Sequence, residues 1–240
     1  MKTFLKAKWE EIVMVNYEID PTILKPYLPF GLELDMHEGK CFVSLVGFKF
    51  NQSKIFGVKI PFYGSFDEVN LRFYVKRIDG AELKRGVVFI SEIVPYKIVS
   101  ILANSLYKEH YSFAEMSSSI RVENGIKNIN YNWKVNTEHH AIIASFDNEL
   151  KDIEPNSLEE FIYEHYFGFT NVSDTETWEY KVNHPRWLTN EIKEYKINCD
   201  FEKMYGSDFA FLNHQKPYSV YNAQGSEVSI DWKINKLNLR

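Results

Sequence analysis

Across Asp67 to Arg77 the segment DEVNLRFYVKR alternates residue by residue. Val69, Leu71, Phe73 and Val75 fall on one face of an extended chain, and Glu68, Asn70, Arg72 and Tyr74 fall on the other. The segments around it follow another rule. Cys41 to Phe50, through Phe42, Val43, Leu45 and Val46, and Gly86 to Val94 are apolar on both faces, which predicts strands covered on both sides. Strands consecutive in sequence are spatial neighbours about two-thirds of the time, so the alternating strand is expected beside them, with its polar face either enclosed as theirs are or turned to solvent as on a half-exposed strand.

The rest of the chain reads as short strands with a few helices. Trp9 to Tyr17 predicts a first strand, and Asp20 with Pro21 starts a helical turn that Pro26 and Pro29 must stop. Gly31 to Asp35 and Cys41 to Phe50 predict a hairpin around HEGK, and Asp79-Gly80 a tight turn. After Pro95, Ile98, Val99, Ile101, Leu102 and Leu106 recur on one helical stripe that should cover a sheet. A meander follows: Tyr111 to Val122, an Asn124-Gly125 turn, Ile126 to Val135, then His139 to Phe146. Ser157 and Glu160 form a capping box for a helix from Leu158 to about Phe167. Further strands are expected near Thr175 to Val182, Glu191 to Asn198, Ser219 to Asn222 and Glu227 to Trp232. About ten strands against two or three helices predict an α+β protein that is mainly antiparallel β, a barrel or strongly curved sheet.

Composition agrees. The 240 residues are 45% hydrophobic and 25% charged, as in a folded chain, and the 16% aromatic share favours strands and enclosed surfaces. A net charge of −5, with no dense cluster of lysine and arginine, argues against nucleic acid as a partner. Two distant cysteines, Cys41 and Cys199, signal neither a disulfide framework nor a zinc ribbon and suit a reducing, cytoplasmic setting. No apolar run reaches signal-peptide or membrane-span length, so no membrane partner is expected.

Candidate chemistry begins with Arg72. Enclosed, it needs a carboxylate or an anionic ligand, because an unpaired buried charge costs on the order of 3–5 kcal/mol. Glu68 and Glu92 are the nearby carboxylates, and Glu92 interrupts an otherwise apolar strand. Its bland reading is a strand-end salt bridge with Arg85 or Arg72. Lys97 is ordinarily an exposed charge in a first helical turn; as a cation near a helix amino terminus it is oddly placed, where the field favours the neutral amine of a nucleophilic lysine. Glu92 and Lys97 are the weak catalytic candidates. His165, His184 and Arg186, in EHYFGF and NHPRW, are candidates for a pocket rim, with His165 expected in a helix. The seven histidines are scattered without HxH or HExxH spacing, and His139 and His140 point to opposite faces of a strand, so no metal is expected. No GxSxG, P-loop or GxGxxG appears and no cofactor is implied.

Several blocks, among them NYEIDPTILKPYLPFGLELD, VSLVGFKF, PFYGSFDEVNLRFYV, RGVVFISEIVP, EHYFGF, YKVNHPRW, YGSDFAFL and PYSVYNAQGSEV, together resemble the YqjF-like bacterial family, domain of unknown function 2071. The likeness runs through nearly the whole chain in order and implies a single domain over residues 1–240. It also implies a fold similar to acetoacetate decarboxylase: an antiparallel β cone or barrel with a central pocket and two or three helices packed outside. In that enzyme a lysine in a Pro-Lys-Lys run forms a Schiff base with a keto acid. The comparable EIVPYKIV keeps Glu92, Pro95 and Lys97, but Ile98 stands where a second lysine would be, which argues against decarboxylation. FDEVNLRF resembles the stretch of that superfamily in which a glutamate, here Glu68, faces the pocket. Three functions follow: binding of a small, carboxylate-bearing molecule by Glu68, Asn70, Arg72, Tyr74, His165, His184 and Arg186; a Schiff-base or acid/base enzyme acting on a keto acid; or a structural or interaction role without ligand. A homo-oligomer stays open.

Overall fold

The computed structural model describes residues 3–59, 61, 63–232 and 234–238, and not the side chains of Leu102, Leu106 and Tyr107. In chain order its strands are β1 (Thr3–Ile19), β2 (Glu33–Leu34), β3 (Cys41–Ile55), β4 (Val58–Lys59), β5 (Phe66–Asp79), β6 (Glu82–Val94), β7 (Tyr111–Phe113), β8 (Glu115–Glu123), β9 (Ile126–Val135), β10 (Glu138–Lys151), β11 (Phe167–Ser173), β12 (Glu176–Asn183), β13 (Thr189–Asn198), β14 (Ser219–Asp231) and β15 (Asn235–Asn238). The helices are α1 (Pro21–Leu24), α2 (Lys97–Tyr107), α3 (Leu158–Tyr163) and α4 (Phe201–Tyr205), with a 3-10 segment at Ser207–Asn213.

Seven strands follow one another side by side in the order β12, β11, β6, β5, β3, β1, β14, and pairing of β14 with β12 closes them into a ring. The closing contact is short: Val182 lies opposite Ile230 and Asn183 opposite Ser229. From β14 the sheet continues through β13, β10 and β9 to the edge strand β8, and this extension folds over the outside of the ring.

The alternation along β5 divides the core accordingly. Val69, Leu71, Phe73 and Val75 point outward and pack with Tyr131, Trp133 and Ile142 of the covering layer. Gly47 of β3 permits the close approach, since a Cβ there would stand 2.8 Å from the Tyr131 ring. The opposite faces of β1, β3, β5 and β6 turn inward, with Met14, Val46, Phe48, Tyr74 and Val87 in a second core. α3 closes one mouth of the ring, setting Phe161, Ile162 and Tyr163 among these inward residues. It is capped as expected, Ser157 Oγ accepting from the Glu160 backbone N–H at 3.1 Å.

Five expectations need correction. The strand expected from Tyr111 to Val122 is two, β7 beside β6 and β8 beside β9. Gly31–Asp35 does not form a hairpin with β3, whose two edges are taken by β1 and β5; Glu33 and Leu34 pair instead with Lys76 and Val75 of β5. α3 ends at Tyr163 rather than Phe167, because residues from Phe167 onward enter β11 and run parallel to β6. His165 therefore lies beyond the helix. The stripe on α2 does not seal a sheet: Ile98 is 50% and Ile101 63% exposed, while Leu102 and Leu106 lie outside the described side chains. The last two expected strands are one, β14, bent at Gly225, whose φ of +82° glycine adopts readily.

Candidate functional site

The polar face of β5 is enclosed. Glu68, Asn70 and Arg72 point into the ring and line a cavity of about 90 Å³ to which all seven ring strands contribute. Glu92 joins them from β6, where it stands directly opposite Asn70. Asn70 Nδ2 donates to Glu68 Oε1 at 3.0 Å, and the Tyr111 hydroxyl donates to Glu68 Oε2 at 3.2 Å. A third carboxyl, Glu109, accepts from Thr170 Oγ1 at 2.7 Å and from the Tyr180 hydroxyl at 2.9 Å. Tyr180 reaches that position across Gly168, where a Cβ would stand 2.1 Å from its ring.

These three glutamates are buried and interact. Burial raises Glu68 to about 7, and the neighbouring Glu109 charge adds to it against the hydrogen bonds from Asn70 and Tyr111. Burial likewise raises Glu109 to about 7. Glu92 is pushed well up, first by burial and then by the charges of Glu109 and Glu68. Near neutral pH the set holds protons, as acid/base chemistry requires of a carboxyl.

Arg72 is partly buried in the same wall. The expected pairing with Glu68 or Glu92 does not occur. Its Nη2 donates to Met14 Sδ at 3.4 Å, a weak thioether acceptor, and makes a long contact of 3.5 Å to the Ile162 carbonyl, and the buried Nε has no hydrogen-bond partner. Arg85 is also unavailable to Glu92, because its Nε donates to Asp35 Oδ2 at 2.6 Å. Asn70 Oδ1 and Glu92 Oε2 are likewise buried without partners, on residues each 2% exposed. The cavity wall therefore presents a guanidinium donor and two oxygen atoms with hydrogen-bonding capacity left over.

Other expected residues take different places. His165 lines the cavity from the loop after α3, its Nε2 3.2 Å from Asp35 Oδ2. Burial lowers its pKa to about 4, while hydrogen bonds from His165 and Arg85 outweigh burial and hold Asp35 at about 2. Neutral His165 thus donates Nε2–H to the carboxylate, which leaves the buried Nδ1 an acceptor without a partner. His184 also lines the cavity, stacked between Tyr166 and Trp187 at 4.5 and 4.1 Å between ring centroids. Tyr74 points inward, but its hydroxyl is 2.6 Å from Ser44 Oγ, and its ring carries the Arg72 guanidinium 5.6 Å from the centroid. Arg186 stands apart, pairing with Glu160 at 2.6 Å and with the Ile153 carbonyl at 3.0 Å. Lys97 is exposed, its Nζ 5.2 Å from the centre of the Phe113 ring. No lysine lines the cavity among the described residues.

Glu109, Tyr111, Tyr180 and Asp35 were not singled out by sequence. Glu109 follows Lys108 in a polar stretch after a helix, which reads as a solvated turn, and nothing local distinguishes it from one.

Comparison with known proteins decides the family. The sequence profile of DUF2071, described as an uncharacterized conserved protein, matches residues 6–227. The chain belongs to the DUF2071 family. It is 25% identical over 198 residues to the uncharacterized protein YqjF of Bacillus subtilis strain 168, covering 81% of this chain and 78% of that one. Among solved structures it is similar to the enduracididine biosynthesis enzyme MppR complexed with pyruvate, with a TM-score of 0.65 at 14% identity, covering 99% of this chain and 92% of that one. An acetoacetate decarboxylase-like enzyme from Sphingomonas wittichii RW1 gives 0.65 at 12% identity, covering 100% and 95%. Acetoacetate decarboxylase from Legionella pneumophila gives 0.62 at 14% identity, covering 99% and 87%. At these identities the likeness is one of fold: this chain's mainly antiparallel ring is similar to that of the acetoacetate decarboxylase-like proteins.

Proposed function

We propose that the protein binds a small organic carboxylate inside the ring, with the Arg72 guanidinium as its anchor. The observation that carries this reading is the state of Arg72: it lines an enclosed cavity, pairs with no carboxylate among the described residues, and keeps a buried Nε without a partner. A carboxylate accepts from such a fork in two parallel, charge-assisted bonds. The protonated state favoured by Glu68 and Glu92 matters here, because ionised glutamates beside Arg72 would compete with the incoming anion. Pyruvate, present in the complex of the structurally similar MppR, is a suitable first probe. Titration calorimetry with pyruvate and propionate should find binding that Arg72→Gln weakens between roughly ten- and a hundredfold, the loss of hydrogen bonds to a charged group. Equal affinity in both proteins would overturn the assignment.

A second reading, acid/base catalysis on the bound acid, is favoured by the three proton-holding glutamates. With pyruvate, one carboxylate takes a proton from the methyl carbon, whose C–H pair becomes the C=C of an enol, while a neighbouring carboxyl protonates the carbonyl oxygen. Reversal from solvent returns a different proton to carbon. Among the described residues no lysine lines this cavity to form a Schiff base, and Lys97 is exposed outside it. In deuterated buffer the protein should catalyse deuterium entry into the pyruvate methyl group, followed by NMR, and Glu92→Gln should slow it at least tenfold. Exchange no faster than in buffer would remove this reading.

A further inference from the structure

The ring holds a second compartment. A cavity of about 190 Å³ adjoins the first and shares Leu5, Phe50, Glu68, Tyr111, Tyr180 and Ile230 with it as a common wall. Its remaining lining is nearly all apolar: Phe4, Ile55 and Phe66 from the ring strands, and Ile98, Val99 and Ala103 from α2. This gives α2 its place in the fold. The helix lays Val99 and Ala103 over an apolar space at one side of the ring, so its stripe faces a cavity where a sheet was expected. Phe50 and Phe66 stack at 4.7 Å in its wall, with Tyr96 6.0 Å from Phe66. Away from the acidic cluster, Tyr63 and Ser53 bring hydroxyl groups to the lining, and that of Ser53 is buried without a partner.

We infer that the ligand is an amphipathic acid, whose carboxylate sits on Arg72 and whose apolar tail of medium length passes the Glu68–Tyr111–Tyr180 wall into the compartment under α2. The inference rests on the reading of Arg72 given above. Three observations support it. The two compartments abut, so one molecule can occupy both. Arg72 and Glu68 lie on the same face of β5 four residues apart, roughly 13 Å along the strand, so a two- or three-carbon acid held at Arg72 stays short of the second compartment. Glu68 and Glu109, the carboxyls nearest the junction, are each raised to about 7 by burial, so below that pH a hydrocarbon passes protonated carboxyls.

The test is a chain-length series. Propionate, hexanoate, octanoate and decanoate, each below its micelle concentration, are titrated into the native protein, Arg72→Gln and Ala103→Trp. Ala103 sits on the outer helix and lines only this compartment, so a bulky side chain fills it without entering the cavity that Arg72 lines. In the native protein affinity should rise about fourfold for each methylene that enters the compartment and level off once it is full. Ala103→Trp should abolish that rise and leave propionate binding unchanged, while Arg72→Gln should weaken every member. If propionate binds through Arg72 but affinity is the same from propionate to decanoate, the tail site is wrong and the anion site stands. A rise with length that Ala103→Trp leaves intact, or that Arg72→Gln does not weaken, means the tail adsorbs elsewhere and overturns the inference. Binding of no member at all would end both readings.

Discussion

Burying three glutamates beside one another is strongly unfavourable unless they keep their protons, and this ties the cavity to pH. Glu68 and Glu109 titrate near 7 in the folded protein against about 4.5 in an unfolded chain, and Glu92 lies well above that value too, all through burial first. Below pH 4.5 both states are protonated and these groups add no pH dependence. Between about 4.5 and 7, Glu68 and Glu109 bind more protons in the folded state than in the unfolded state, so their contribution to stability falls as pH rises and stays low above 7, and Glu92 acts in the same direction. Replacing Glu92 by its neutral isostere removes one such group. Glu92→Gln should therefore melt above the native protein at pH 8 and close to it at pH 5, measured by calorimetric melting in matched buffers. An equal difference at both pH values would mean that Glu92 is ionised in the fold. Asp35 runs the opposite way: held at about 2 by His165 and Arg85, it adds stability above pH 4 that is lost as pH falls towards 2.

Strand β5 carries two environments on eight consecutive residues because a period of two sends neighbours to opposite sides of the ring wall. A slip of one residue in its pairing with β3 would put Glu68 and Arg72 into the outer core and Val69 and Leu71 into the cavity. Apolar side chains on both faces of β3 therefore hold the register from outside and inside at once. The helices contribute through their ends more than their lengths. α3 spans six residues, and its early end frees residues 164 to 166 to turn into the cavity mouth, which brings His165 to Asp35. α2 works as a cover for the apolar compartment, with Ile98 half exposed at its rim and Ile101, which does not line it, 63% exposed.

The ring and its covering layer share one wall, so β1, β3 and β5 are packed on both faces, whereas β8 is the outermost strand of the extension with mostly exposed or half-buried side chains. Opening of β3 or β5 breaks both cores together, while β8 can detach alone. Hydrogen exchange followed by mass spectrometry should thus find amides of β3 and β5 exchanging at the rate of global unfolding and those of Ser117 to Glu123 exchanging orders of magnitude faster. Comparable protection in β5 and β8 would mean that the two layers unfold as one. Ring closure through two residue pairs, Val182 with Ile230 and Asn183 with Ser229, places the seam between β12 and β14 beside the apolar compartment that Tyr180 and Ile230 line.

The sequence by itself determined the antiparallel β-rich class, the strands β1, β3, β5, β6, β9 and β10, the Ser157 cap, and the two-faced character of β5, while the ring decided that its polar face is enclosed. These are local: a period of two, a turn dipeptide or a cap is written within a few residues and holds wherever the segment lies. Tertiary structure decided which polar groups meet. Glu109, from the loop after α2, and Tyr111, the first residue of β7, join Glu68 and Glu92 only because β7 runs beside β6, with Tyr111 opposite Glu92. Arg72 lacks the carboxylate that its sequence neighbours offered, since Glu68 is held by Asn70 and Tyr111, and Arg85 is drawn to Asp35. Arg186 and Lys97, plausible by resemblance and position, fall outside the cavity because chain direction at a loop or helix start is set by what the neighbouring elements bury. A residue's chemistry is local, but its partner is chosen by contacts between segments far apart in sequence, and one segment read alone does not contain them.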